Sequence, residues 1–491
     1  MNRMRPIRAE AADRGESRYE HKKRLVWTNS MASRGKMMGK ATFDTGSEAQ
    51  HSAAPRGGET SIDNTAHNEL VTISLGVEWS LLDPALNHIP ESCRDYIRYF
   101  DKELSKECVV YNDPSVNPFL ALMPLIPWSQ ALSHLVISIS AFHYIHRLII
   151  NQSQVSFKNT SPSKPWYSSH TYDWQKSHAG YGKALHTATS NKQKALQCLK
   201  HELQVHAERN SDAVIAAVLL FVNLDVVEFG GRGWKHHLRG AEELVKTRKA
   251  LVKDENSDSA NWLRFGIIGA TLAPSHSLGS SMPIPFDYCF LDTLRRSEHQ
   301  TWLGCPADLL SFLHVINTLR TISSNYNQSD EIVGTLLDAL NDFSPSAWAN
   351  DFPDPQHYQS RYHLAHAYKA AIGIYASHVI KQTSAHPFLY GPHILDLTKL
   401  GVSHMLQIPA NDFHIKSLVW PAFIIGAETQ DIDLRQKVQM IVEQIWVSSC
   451  CYNVRTAAEM LGVIWGRGQD DRADRTWLQY VWEQDESWLF L

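Results

Sequence analysis

Two His-x-x-His pairs, His143/His146 and His363/His366, are the residues whose spacing comes nearest to a metal site. A spacing of i, i+3 puts both imidazoles of a pair on one helix face, and neutral imidazole is a frequent zinc ligand. Neither pair encloses a glutamate that could act as a general base, and the spacing indicates no third ligand. We therefore expect both pairs to pack within helices and to hold no metal.

Other patterns that could carry chemistry are weak. No Gly-x-Ser-x-Gly or Cys-x-x-Cys sequence occurs, and Gly35–Ala41 is one residue short of a phosphate-binding loop and lacks the hydroxyl residue after its lysine. Adjacent cysteines, Cys450 and Cys451, are poorly placed to bind one metal ion, so we expect them to be structural, as we do His236 and His237. The sequence thus predicts no catalytic, cofactor-binding or metal-binding residue, although a Ser-His-carboxylate triad assembled by folding stays open.

Composition excludes several classes of protein. The 491 residues are 43% hydrophobic and 20% charged, which is typical of a globular protein and not of a disordered one. With 47 basic and 51 acidic residues the net charge is −4, which does not suit binding of DNA over the whole surface. Seven cysteines do not make a disulfide framework and fit a reducing compartment such as the cytosol or the nucleus.

The N-terminal residues 1–68 are predicted to be a disordered basic tail, because they lack a sustained apolar period and are rich in Arg, Gly, Ser, Ala and Thr. Residues 1–60 hold 12 Lys/Arg against 7 Asp/Glu, so the rest of the chain is mildly acidic. Lys22, Lys23 and Arg24 form a candidate nuclear-import signal; the alternative is a solvated run of charge. The first 25 residues contain no apolar stretch, so we expect no secretory signal.

Residues 69–491 show helical periods throughout and almost no strand signal, which predicts a single large all-α domain with many helices. The most apolar stretch, Ala131–Ile150, is long enough to span a membrane, but its three histidines and an arginine would be costly in hydrocarbon. We interpret it as a buried helix and expect no membrane association. Further helices are predicted at Tyr96–Leu104, Ala184–Ala207, Ala213–Val222, Trp234–Lys249, 259–272, 306–322, 330–342, 357–382, 394–405, 413–429, 431–447, 453–466 and 472–484.

Local signals refine this helical pattern. Ser211 precedes an apolar run as a helix N-cap would. Glycine costs a helix about 1 kcal/mol against alanine, so Gly240 and Gly426 predict close approach of another helix. The C-terminal residues 482–491 mix acidic and bulky apolar side chains, as an acidic activation segment does, but we expect them to pack on the body.

Five segments, taken in order, resemble the regulatory domain of fungal-specific transcription factors. They are Val109–Pro114 with Asn117-Pro118-Phe119; Ser129–Ala141; Ser211-Asp212 with Trp234–Ala241; Leu303–Leu310; and Trp420–Glu428 with Trp465 and Trp477 downstream. The resemblance covers roughly residues 90–491. It implies a large helical domain that binds proteins and regulates transcription, and that usually follows a zinc-cluster DNA-binding domain.

The resemblance implies that the protein is a nuclear regulator of transcription and not an enzyme. It would control a fungal pathway, either a metabolic one or one that makes secondary metabolites. It would act through a partner transcription factor, through self-association or through a small-molecule effector. Two other hypotheses stay open at this point: an enzyme or small-molecule-binding protein that shares the helical scaffold, and a truncated relative of a zinc-cluster factor.

The sequence departs from the family pattern at its N-terminal end. The first cysteine is Cys93, so the six cysteines that would bind two zinc ions are absent from residues 1–92. We therefore expect no zinc or other cofactor in this chain. DNA association is expected to be indirect, or weak and salt-sensitive through the basic tail.

Overall fold

The computed structural model describes residues 89–157, 179–205, 211–229, 233–251, 260–274, 276, 288–321, 326–383, 394–467, 475–484 and 488–491. All of these residues belong to one compact unit, Glu78–Leu491. They form 17 α-helices and no β-strand, which confirms the predicted all-α fold. The predicted basic tail, 1–68, and its candidate import signal at Lys22, Lys23 and Arg24 lie outside the described residues.

The α-helices, in chain order, are α1 Glu91–Tyr99, α2 Ser105–Glu107, α3 Gln130–Phe157, α4 Ala179–Gln204, α5 Asp212–Phe229, α6 Trp234–Leu251, α7 Ala260–Leu272, α8 Tyr288–Arg296, α9 Ala307–Leu319, α10 Tyr326–Asp342, α11 Pro345–Asn350, α12 Tyr358–Thr383, α13 Ile394–Met405, α14 Val419–Glu428, α15 Ile432–Ser449, α16 Tyr452–Gly466 and α17 Trp477–Glu483. A π-helical turn, Phe100–Leu104, joins α1 to α2, and 3-10 turns form at Leu120–Trp128, Pro355–His357 and Phe413–Leu418. Helices α8 and α11 are absent from the predicted set, because nine and six residues are too few to display a clear period.

Helix α3 contains the stretch of membrane length and is buried in protein, as predicted. Its apolar residues Leu132, Leu135 and Ile139 are fully buried, and it packs chiefly against α4 and α5. One of its buried polar side chains bonds to the neighbouring helix: the Ser138 hydroxyl donates to the Ala188 carbonyl at 2.8 Å. None of the helices in the described residues has a stretch both long enough and apolar enough to cross a bilayer.

A short non-helical segment, Thr301–Pro306, runs through the interior with every residue buried. Buried carbonyl groups outside a helix need hydrogen-bond donors from elsewhere, because an unpaired one is costly. Three side chains from distant helices and turns supply them. The Ser417 hydroxyl donates to the Trp302 carbonyl at 2.6 Å, the Tyr368 hydroxyl to that of Leu303 at 2.7 Å, and the Arg264 guanidinium to that of Cys305 at 3.1 Å.

This segment also contacts the first of the motifs that carry the family resemblance. The Val110 amide donates to the Thr301 carbonyl at 3.3 Å, which attaches the first motif to the fourth. Gly304 has φ +59°, and a Cβ there would come within 2.7 Å of Ser417 Oγ, so both backbone conformation and space require glycine. We call Thr301–Pro306 the buried junction.

The two glycines predicted to mark close helix contacts differ. A Cβ on Gly426 of α14 would lie 2.8 Å from Val438 Cγ1 of α15 and 3.2 Å from Leu461 Cδ2 of α16, so the predicted close approach is confirmed there. A Cβ on Gly240 of α6 would lie 3.7 Å from Val218 Cγ1, which is an ordinary contact. The prediction is therefore wrong for Gly240, which has room for a methyl group.

The C-terminal residues 488–491 pack on the body, as expected. Leu489 and Phe490 are fully buried, and the Asn453 side-chain amide donates to the Leu491 carbonyl at 3.1 Å. The preceding Trp482 donates from its indole nitrogen to the Thr271 carbonyl at 2.8 Å. These tryptophan and leucine side chains contribute to the core.

We expect Gly426→Ala and Gly240→Ala to change stability in opposite directions. The first methyl group overlaps side chains of two helices and should cost about 1–3 kcal/mol, whereas the second should gain up to about 1 kcal/mol from helix propensity. Urea unfolding followed by circular dichroism measures both. Equal effects of the two substitutions would contradict this explanation of Gly426.

Candidate functional site

The first histidine pair is buried within the core. His143 is 2% and His146 6% exposed. His143 Nδ1 shares a hydrogen bond of 2.8 Å with the Tyr99 hydroxyl, and His146 Nδ1 donates to the Cys450 carbonyl at 3.0 Å. Burial lowers the pKa of both imidazoles to about 3, so both are neutral at physiological pH. The predicted packing role is confirmed.

The second pair gains a neighbour that the sequence did not indicate. His404 of α13 lies beside His363 and His366 of α12: the Nδ1 atoms of His363 and His404 are 2.8 Å apart, and the rings of His366 and His404 stack at 4.1 Å. Parallel stacked rings do not aim their lone pairs at one point. No group of three or more His, Cys, Asp or Glu suited to a metal ion occurs in the part of the chain that the structure describes.

The adjacent cysteines serve the turn between α15 and α16. Cys450 has φ 52° and caps α15, with its amide donating to the Trp446 carbonyl. Burial raises the pKa of the Cys450 thiol to about 12 and that of Cys451 well above its ordinary value. Both thiols are therefore protonated at neutral pH and pack as neutral side chains.

A buried polar network comes closest to a catalytic triad in its residue types. Asp412 Oδ1 accepts from His414 Nδ1 at 2.6 Å, and His414 Nε2 shares a hydrogen bond of 2.9 Å with the Tyr111 hydroxyl. The Ser360 hydroxyl bonds to Asp412 and not to the histidine, and the hydroxyl on His414 Nε2 is that of Tyr111. The His414 side chain is fully buried. Arg361 of α12 donates to the same Tyr111 hydroxyl at 2.9 Å. The network therefore holds the first motif against α12.

A cleft of about 740 Å³ is the strongest candidate site in the described residues. Its walls come from α4, α5, the start of α6, α16 and the C-terminal segment, and its volume is in the range of small-molecule sites. Apolar and aromatic side chains contribute one part of the lining, namely Leu196, Tyr452, Met460, Val463 and Trp488. Charged and polar side chains contribute the rest, namely Lys192, Asp225, His237, Thr456 and Glu459.

The polar lining of the cleft centres on Asp225. Its carboxylate lies 3.9 Å from Lys192 Nζ and 3.7 Å from His237 Nε2, both longer than a hydrogen bond. Burial raises the pKa of Asp225 to about 6 and lowers that of His237 to about 4. Lys192 instead bonds directly to Glu228, one helical turn beyond Asp225. Gly233 faces the carboxylate, and a Cβ there would come within 2.7 Å of Asp225 Oδ2.

Sequence reasoning missed this site. The apolar run at the start of α5 indicates a buried helix, and two carboxylates, Asp225 and Glu228, later in the same helix are the one signal that this helix also borders a cavity. Their partners Lys192 and His237 lie on other helices, at distances in sequence that no motif encodes.

Comparison with known proteins decides the family. The model of the fungal-specific transcription factor domain matches residues 95–491. The chain belongs to this family. The resemblance seen in the five motifs and the interpretation as a fungal transcription regulator are thereby confirmed.

Two relatives support the same conclusion. The acriflavine sensitivity control protein acr-2 of Neurospora crassa is 26% identical over 441 residues, which cover 84% of this chain and 69% of the relative. The phomenoic acid biosynthesis cluster-specific transcriptional regulator of Leptosphaeria maculans is 24% identical over 264 residues, 49% of this chain and 48% of the relative. No solved structure matches the chain.

The buried histidines should make stability fall in acid. For His143 and His146 the pKa is about 3 in the folded state and about 6.5 when unfolded. Between those values only the unfolded chain takes up the protons, so each histidine removes up to about 1.4 kcal/mol of stability per pH unit as the pH falls. Urea unfolding free energies measured from pH about 7.5 to about 4.5 test this.

The matched variant is His146→Gln, which keeps a side-chain donor near the Cys450 carbonyl but cannot titrate. Its unfolding free energy should depend less steeply on pH, by one histidine's share, than that of the native chain. An unchanged slope would contradict the assignment of a neutral, buried His146.

Proposed function

We propose that this protein is a nuclear regulator that controls a fungal metabolic or secondary-metabolite pathway through its helical domain, and that it is not an enzyme. The observation that carries the proposal is the family match over residues 95–491. The relatives' names connect family members with sensitivity to a chemical compound and with a biosynthesis cluster. The polar network around Asp412 and His414 gives no support to a hydrolase, because its serine, Ser360, bonds to Asp412 and not to the imidazole. The hydroxyl on His414 Nε2 belongs to Tyr111, which also accepts from Arg361.

In this proposal the domain works by binding. The cleft beside Asp225 offers a place for a small effector, and the helical surface offers contacts to a partner transcription factor or to a second copy of the chain. DNA is reached through that partner, with the basic residues 1–68 adding weak phosphate contacts. Lys22, Lys23 and Arg24 supply nuclear import.

Regulatory activity is tested by fusing the full chain to a heterologous DNA-binding domain at a reporter promoter in a fungal host. Reporter transcription should rise or fall relative to the DNA-binding domain alone, because the helical domain would recruit its partners there. A destabilised variant, Gly426→Ala, should lose part of this effect while Gly240→Ala keeps it. A fusion that leaves transcription unchanged would contradict the proposed function.

Nuclear import is tested with a fluorescent fusion of the full chain. Replacing Lys22, Lys23 and Arg24 together by alanine should move the fusion out of the nucleus, because the basic cluster is the proposed import signal. Replacing Lys36, Lys40 and Arg56 is the control, since it removes the same positive charge from the same tail. Equal nuclear signal in both variants would assign import to another segment.

DNA binding by the purified chain should be weak, fall steeply with salt and show no preference among duplex sequences, since only a dispersed basic tail contacts phosphates. Gel shifts with unrelated duplexes at low and moderate salt measure this. A tight, sequence-selective shift at moderate salt would show that the chain reads DNA itself.

A further inference from the structure

The carboxylate of Asp225, which borders the cleft, has one oxygen atom that is unpaired among the described residues. Asp225 is 8% exposed, yet its Oδ2 accepts no hydrogen bond from any residue that the structure describes. A buried carboxylate without its full set of hydrogen bonds is costly, and a positively charged ligand paired with the accessible part of the carboxylate would offset that cost. The remaining exposed part of the side chain borders the cleft.

The surrounding charge favours a cation. Glu459, a second carboxylate, stands at the exposed rim of the cleft. Among the lining residues that the structure describes, Lys192 carries the one ammonium group, and Glu228 holds it. Burial keeps His237 neutral by lowering its pKa to about 4. A ligand carboxylate would meet repulsion from Asp225 and Glu459, whereas a protonated amine would be attracted.

The other walls favour an apolar body. Leu196 and Val463 are 42% and 50% exposed, which makes them two of the large apolar side chains that the fold leaves in contact with solvent. Both line this cleft, together with Met460 and the ring of Trp488. Covering exposed apolar surface in a concave site with a ligand removes that surface from water, which favours binding.

We infer that this cleft binds a small molecule that joins an apolar or aromatic body to a protonated amine, with the ammonium group paired to Asp225 and the apolar body lying on Leu196, Val463 and Trp488. This inference deepens the proposed function, since it gives the chemical class of the effector. It rests on the proposed function only for the biological consequence of binding, and direct binding is independent of it.

The test uses three fluorescent probes with the same dansyl body and different ends: dansylcadaverine with a primary amine, N-pentyl dansylamide with no charge, and dansyl-6-aminocaproic acid with a carboxylate. Each is titrated against the purified full chain, and dansyl emission is followed. The amine probe should bind about ten-fold or more tightly than the other two, because a hydrogen bond to a charged group adds to the shared apolar contact.

Two variants locate the binding. Asp225→Asn should remove the preference for the amine and leave the neutral probe unchanged, while Asp338→Asn on the exposed face of α10 should leave all three affinities unchanged. Val463→Trp at the open rim should fill the cleft and weaken all three probes without disturbing the core. It serves as the second variant if Asp225→Asn fails to fold, which circular dichroism would show.

Absence of saturable binding by the amine probe, equal affinity for the amine and carboxylate probes, or an amine preference that survives Asp225→Asn would each overturn the inference. Reporter regulation by the tethered chain that persists alongside such a result would leave the proposed function standing. Amine binding in a chain without regulatory activity would support the inference about the cleft and contradict the proposed function.

Discussion

The buried junction Thr301–Pro306 is the constraint on which the helical body depends. The backbone groups of a helix form their hydrogen bonds within that helix. A non-helical segment in the core needs hydrogen-bond donors from other parts of the chain. Here Arg264, Tyr368 and Ser417 supply donors to its carbonyls, and Val110 binds the Thr301 carbonyl. Residues that lie far apart in the sequence, from Val110 to Ser417, are thereby joined at one place.

The same logic separates structural polar groups from those of the cleft. Arg264 is fully buried and donates to Ser297 Oγ as well as to the carbonyls of Leu294 and Cys305, so its charge is spread over several acceptors. His414 likewise uses both ring nitrogens. Asp225 differs, because one of its buried oxygens accepts no hydrogen bond from the described residues, and it borders a cavity. The proposed amine site therefore combines an unpaired buried oxygen with a cavity beside it.

Local sequence signals predicted most of the fold. Periodic apolar spacing gave α13 its full range, 394–405, and the Ser211 hydroxyl accepts from the Val214 amide at 3.3 Å as a capping residue should. Contacts between distant helices were not predictable. His404 stacks on His366, and Asp225 meets Lys192 and Gly233, through packing of helices whose order in space the sequence pattern does not encode. Gly240 was mispredicted for the same reason. A glycine within a helix marks a close contact only where another helix packs against it, and the sequence does not show where that happens.

We propose that this helical body regulates genes that it reaches through another DNA-binding factor. Chromatin immunoprecipitation of the tagged protein, in cells with and without the DNA-binding factor that copurifies with it, tests that claim most directly. We expect discrete promoter peaks that disappear when the factor is deleted, while the protein stays nuclear. Promoter peaks that persist when the factor is deleted, or no enrichment at any promoter, would contradict this proposal.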